Sequence, residues 1–239
     1  MSPIPTPANP VFCALDTVDL HQALDWGRAV APYVGGLKIG MEFFNANGPD
    51  GVRAVVGLGL PVFADLKLHD IPNTVAGGVR GIKPLGVAML NIHASGGMAM
   101  MRAAAEEARK GGQRLKLLGV TILTSLDQQD LRAIGMNGTP EDQVLRLARL
   151  AKDSGLDGVV CAAHEIAPLR AELGREFMLV VPGIRPAGAA FTDQKRVMTP
   201  FEARALGADI LVIGRPITAA SDPAAAARAI RDELFPRAA

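Results

Sequence analysis

Val62-Phe63-Ala64-Asp65-Leu66-Lys67 begins as an apolar, β-rich run and ends in charge, and it is one of eight such runs in a chain of 239 residues. The others are Val11 to Leu15, Gly36 to Gly40, Ala88 to His93, Leu117 to Leu123, Gly158 to Ala162, Met178 to Pro182 and Ile210 to Gly214, with helix-length amphipathic segments between them. Continuous rather than alternating hydrophobicity suits parallel strands covered by helices. Eight strand-helix repeats is the number that closes a barrel, so the expected fold class is α/β, a (β/α)8 TIM barrel. Such barrels reach about 250 residues as one domain. We therefore expect a single domain over residues 11–239, after an extended Pro-rich tail at residues 1–10.

Composition fits that reading. With 49% hydrophobic and 21% charged residues the chain fills a large core and carries no long polar tract. Its 25 basic and 24 acidic residues leave a formal charge of +1, without the basic stripe and interleaved aromatics of a nucleic-acid binder. An anionic ligand must then be held locally. Cys13 and Cys161 sit in apolar strand-like runs and read as buried thiols. The tail lacks a signal peptide's basic and apolar regions, and no run approaches the roughly 18 apolar residues of a spanning helix. Leu115 to Leu123, the longest candidate, is interrupted by Lys116 and Thr121. The expectation is a cytoplasmic protein with no membrane partner.

Helix ends are legible too. Thr199-Pro200-Phe201-Glu202 places an N-cap, a first-turn proline and a capping-box glutamate in order, with Gly207 as the stop. Asp222-Pro223 opens the last helix, which Pro236 should end, and Ser95 is expected to cap the Ala-rich segment before Gly111-Gly112. Gly183 to Val197 is long for a barrel loop and reads as a mobile lid, with a tolerated surface insertion as the alternative.

Ligands of such barrels bind at the carboxyl ends of the strands, so polar residues there carry the functional signal. Asp16 ends the first strand and Lys38 lies on the second; the third continues Asp65-Leu66-Lys67-Leu68-His69-Asp70-Ile71-Pro72-Asn73-Thr74. Strand alternation puts Asp65 and Lys67 on one face, and the turn forced by Ile71-Pro72 presents Asp70 nearby. A structural ion pair is the competing account of Asp65 and Lys67. Lys38 decides against it, because two ammonium and two carboxylate groups at one rim are too many for a packing device. Ile213-Gly214-Arg215 ends the eighth strand where these barrels hold phosphate, with Arg215 as the leading ligand. Arg185 in Pro182-Gly183-Ile184-Arg185, and Gln194 in the lid, are weaker candidates. His93 is expected to pack and to donate to a backbone carbonyl. His21, His69 and His164 have no second ligand at metal-site spacing.

From Val11 to Arg215 the chain resembles bacterial orotidine 5′-phosphate decarboxylase, matching D-x-K-x-x-D-I-P-x-T from Asp65 to Thr74 without a departure. The resemblance implies a cofactor-free, metal-free lyase that turns orotidine 5′-phosphate into uridine 5′-phosphate and CO2 in de novo pyrimidine biosynthesis. It implies a charged quartet of Lys38, Asp65, Lys67 and Asp70, with Lys67 as proton donor and Asp70 supplied by the partner subunit of a homodimer. Asp16 and Lys38 would contact the ribose, Thr74 would reach it across the interface, and Thr124 would hydrogen-bond the pyrimidine. Gln194, Gly214 and Arg215 would hold phosphate, with Arg185 in the same lid, and Pro182 would also bind substrate. Metal-dependent relatives resembling 3-keto-L-gulonate 6-phosphate decarboxylase share the Asp-x-Lys-x-x-Asp pattern but place a carboxylate on strand two. Lys38 would repel a cation there. A barrel that only binds a nucleotide is a further alternative, since fold alone does not prove reaction.

Overall fold

The computed structural model describes residues 8–112, 114–186 and 198–235. In chain order they form β1 (Val11–Ala14), α1 (Leu20–Val30), β2 (Gly36–Gly40), α2 (Met41–Val56), β3 (Val62–Leu68), α3 (Pro72–Ile82), β4 (Met89–His93) and α4 (Gly97–Arg109). There follow β5 (Lys116–Val120), α5 (Gln128–Ala133), α6 (Pro140–Asp153), β6 (Gly158–Val160), α7 (Ile166–Leu173), β7 (Met178–Pro182) and α8 (Pro200–Leu206). The last elements are β8 (Ile210–Ile213), α9 (Arg215–Thr218) and α10 (Pro223–Leu234). Each strand pairs in parallel with the next and β8 returns to β1, closing an eight-stranded barrel.

Two apolar layers hold it. Inside the barrel, Phe12, Phe63, Met89, Leu118, Met178 and Ile210 pack together. Gly36 makes room for the first of these: a Cβ there would lie 2.3 Å from Phe12 Cε1. Between barrel and helices, Leu37, Ile39 and Leu90 meet Val55, Val79 and Met101, all with no exposed surface. Each such side chain contributes roughly 1.5–3 kcal/mol by leaving water, which is why the strands read as unbroken apolar runs.

The expected caps are present at two helices. Thr199 accepts from Glu202 N–H while the Glu202 carboxylate accepts from Thr199 N–H, and Gly207 ends α8 at φ 109°. Asp222 caps α10 by accepting from Ala225 N–H, and α10 ends at Leu234; Pro236 lies outside the described residues. Ser95 does not cap α4. It falls in a 3-10 turn, Ala94–Gly96, and Gly97 at φ 85° starts the helix later, with Gly96 at the cap position. The fifth strand also differs from expectation, running Lys116–Val120 because its pairing with the three-residue β6 stops at Val120 and Val160. Thr121 then donates its hydroxyl hydrogen to the Val160 carbonyl, and Ile122 to Thr124 become rim.

Candidate active site

The carboxyl ends of the strands enclose a cavity of about 360 Å³. Strand ends from opposite sides of the barrel meet there. Asp16, Lys38, Asp65 and Lys67 line it after β1, β2 and β3, Thr124 after β5, Pro182 and Arg185 from β7 and its loop, and Gly214 and Arg215 after β8, the neighbour of β1. Gln194 and residues 187–197, most of the segment expected to form a lid, fall outside the described residues.

On the charged side the groups alternate in sign. Lys38 Nζ lies 2.9 Å from Asp16 Oδ1 and 3.3 Å from Asp65 Oδ2, and Lys67 Nζ lies 2.6 Å from Asp65 Oδ1. Lys38 is 6% exposed, so its charge is buried and depends on the two carboxylates. Burial by itself would raise the Asp65 carboxyl, but the Lys38 and Lys67 charges, with hydrogen bonds from Lys67 and Asn91, outweigh it and hold the group below the usual carboxylate value. Asp65 is thereby kept ionised.

Backbone geometry makes the Asp65–Lys67 contact. β3 shifts register against β4 between Ala64, opposite Leu90, and Leu68, opposite Ile92: four residues advance on one strand while two advance on the other. In this bulge Lys67 takes φ 51°, the one positive φ outside glycine among the described residues. Such a conformation costs on the order of 1–3 kcal/mol and persists only when the surroundings hold it. Strand alternation, expected to align the two side chains, is thus replaced by a bulge that aligns them another way.

Asn91 was not singled out from the sequence. Fully buried on β4, it donates from Nδ2 to Asp65 Oδ1 at 2.7 Å, and its Oδ1 accepts from Lys67 N–H at 2.8 Å. The signal was available: an amide inside Met89-Leu90-Asn91-Ile92-His93 must find partners or cost stability. The neighbouring His93 ring lies 5.3 Å from the His69 ring, a pairing not expected from the sequence. Burial, then the nearby His69 and Lys67, lowers the His93 pKa.

Asp70 and Thr74 do not join this chain's cavity. Asp70 is exposed, accepting from Ile71 N–H at 2.6 Å, and Thr74 lies in the exposed first turn of α3. Ile71 between them is 67% exposed.

Cys161 lines the cavity and Cys13 is buried on β1, both free thiols. Burial first, then Asp16, pushes Cys13 up to about 12 against the pull of Lys38, and burial raises Cys161 well above its ordinary value. Neither supplies a thiolate. Among the described residues no group of three His, Cys, Asp or Glu side chains is gathered to hold a metal, and no helix is long and apolar enough to cross a membrane.

Comparison with known proteins agrees with this geometry. Residues 9–230 match the model of the orotidine 5'-phosphate decarboxylase / HUMPS family. The chain is 53% identical over 231 residues to the orotidine 5'-phosphate decarboxylase of Paramagnetospirillum magneticum, covering 95% of this chain and 98% of that one. It is 54% identical over 232 residues to the Rhodospirillum rubrum enzyme of the same name, covering 95% and 94%. The crystal structure of orotidine 5'-phosphate decarboxylase from Lactobacillus acidophilus superposes with a TM-score of 0.82 at 38% identity, covering 95% of this chain and 99% of that one.

Proposed function

The chain belongs to the orotidine 5'-phosphate decarboxylase / HUMPS family, and from that membership we propose that it converts orotidine 5′-phosphate to uridine 5′-phosphate and CO2. The observation that carries the reading is the Lys67 ammonium, 2.6 Å from Asp65, on the wall of a cavity that Arg215 also lines. With the substrate phosphate at Arg215 and Gly214, and Gln194 from the lid, the pyrimidine reaches the charged wall. There Thr124 and Pro182 border it, and Asp16 and Lys38 meet the ribose.

The bond between C6 and the carboxylate breaks, CO2 leaves, and the electron pair stays on C6 in the ring plane, where the π system cannot absorb it. Lys67 stabilises that charge and then delivers its proton to C6; the amine recovers a proton from water. An ammonium about 4 Å from a developing anion is worth roughly 4 kcal/mol at an effective dielectric of 20, about three powers of ten in rate. Very slow reactions need ~20 kcal/mol or more. Asp65, held ionised, crowds the substrate carboxylate, and phosphate binding at Arg215 supplies further binding energy.

A metal-free mechanism is supported by Lys38: its ammonium already sits between the Asp16 and Asp65 carboxylates, in the position a divalent cation would need. A homodimer with shared sites is supported by Asp70, Thr74 and Ile71, exposed on a short segment directly after the Asp65–Lys67 bulge. Uridine 5′-phosphate production places the enzyme in de novo pyrimidine biosynthesis, and we assign it to the cytoplasm. The test is the ultraviolet change on mixing the protein with orotidine 5′-phosphate after exhaustive chelation. Conversion is expected; activity that appears only on adding a divalent metal would overturn the metal-free mechanism, and no conversion under either condition would overturn the function.

A further inference from the structure

We propose that Asn91 is the positioning residue of the charged wall, using one amide to hold the Lys67 backbone in its left-handed conformation and to orient the Asp65 carboxylate. The proposal rests on the decarboxylase reading, since it assigns a role in that reaction. Three observations meet at this side chain. Asn91 has no exposed surface, so both ends of its amide require partners. Its two partners are Lys67 and Asp65: Oδ1 accepts from Lys67 N–H at 2.8 Å, and Nδ2 donates to Asp65 Oδ1 at 2.7 Å, the oxygen that also contacts Lys67 Nζ. The register shift of β3 lies against β4 on either side of Asn91, between Leu90 and Ile92, so the amide stands where two strand residues oppose four.

The bulge leaves Lys67 N–H outside the regular ladder, and Asn91 Oδ1 takes the place of a strand carbonyl. An L-residue at φ 51° sits in a small, disfavoured region, and a change to the more favourable extended region would re-aim the Lys67 side chain. The amide closes that route. At its other end the Nδ2 donor fixes the carboxylate rotamer, leaving Oδ2 aimed at Lys38. Asn91 does not line the cavity, so it acts through these two residues and not on the substrate.

Two variants separate positioning from mere filling of space. Asn91→Asp keeps the acceptor for Lys67 N–H but sets a carboxylate against Asp65 Oδ1. Asn91→Thr nearly preserves volume and retains a single hydroxyl. The titratable and charged groups around position 91 are Asp65 and Lys67 on β3, Lys38 beyond Asp65, and the His93 and His69 rings. For Asn91→Asp we expect kcat at neutral pH to fall by about tenfold or more, with uridine 5′-phosphate affinity within about threefold of wild type. Activity relative to wild type should recover as pH falls, because the two carboxylates then share a proton and the donor to Asp65 returns. Running wild type at each pH removes the contribution of the histidines.

A wild-type rate and pH profile in the Asp variant would overturn the proposal, as would equal losses in kcat and nucleotide affinity, which mark a collapsed pocket. Should the Asp variant not fold, the Thr variant decides: a kcat loss of about tenfold or more with nucleotide affinity retained supports positioning, and a wild-type kcat overturns it. Failure of both to fold would also overturn it, by making Asn91 a fold-holding residue. A wild-type protein with no activity on orotidine 5′-phosphate would instead sink the decarboxylase reading, and this inference with it.

Discussion

Lys67 Nζ meets Asp65 Oδ1 at 2.6 Å across a break in the strand that carries both residues. Between Ala64 and Leu68 the β3 backbone leaves the regular ladder, and Lys67 adopts φ 51° within it. The contact that defines the charged wall is therefore a product of backbone irregularity, held from the side by β4. Strain of this kind at a cavity wall is a recurring mark of a functional site.

In the proposed mechanism, replacing Lys67 with alanine removes both the stabilising charge and the proton. We expect Lys67→Ala to lower kcat by at least about three powers of ten while uridine 5′-phosphate still binds, since the charge matters most in the transition state. Steady-state kinetics with a binding titration check this. Retention of more than about a tenth of the wild-type rate would remove Lys67 from the mechanism.

Arg215 lines the same cavity as Lys67, and in the proposed reaction it acts at a distance from the reacting carbon. Arg215→Ala should raise KM and lower the rate on orotidine 5′-phosphate, but should match wild type on the nucleoside lacking phosphate. An equal penalty on both substrates would show that Arg215 does not serve the phosphate.

The exposed Asp70 leads to a test of shared sites. Lys67→Ala and Asp70→Asn homodimers should each be inactive, whereas a mixed dimer has one site with both lesions and one built wholly from unmutated residues. Random co-refolding makes about half the dimers mixed, so recovery should reach roughly a quarter of wild-type activity. Mixed dimers without recovery would return Asp70 to its own subunit's site.

Asp65 also links the site to stability. Its pKa is lower in the folded protein than the ordinary carboxylate value of 3.8, so the unfolded chain binds the proton more readily. Its stabilising contribution is present above that ordinary value and is lost as pH falls through the lower folded pKa. Thermal melts of wild type and Asp65→Asn should therefore differ at pH values above the ordinary carboxylate range and converge in stronger acid. A gap that widens on acidification would contradict the ion-pair account.

The eight apolar runs made the barrel legible in the sequence, because parallel strands buried on both faces need continuous hydrophobicity and the repeat number allows only closure. The strand ends at Asp16, Lys38, Asp65 and Arg215 were legible for the same reason: charge following an apolar run stands out. Ser95 misled because a capping residue is effective only where the helix starts, and the left-handed turn at Gly97 moved that start. The fifth strand was read too long because its end is set by the length of its neighbour, β6. Local pattern thus determined which residues are buried and where charge emerges. Tertiary structure alone decided the bulge in β3, the left-handed Lys67 and the Asn91 amide that meets it, because each depends on register between two strands whose residues lie more than twenty positions apart in the chain.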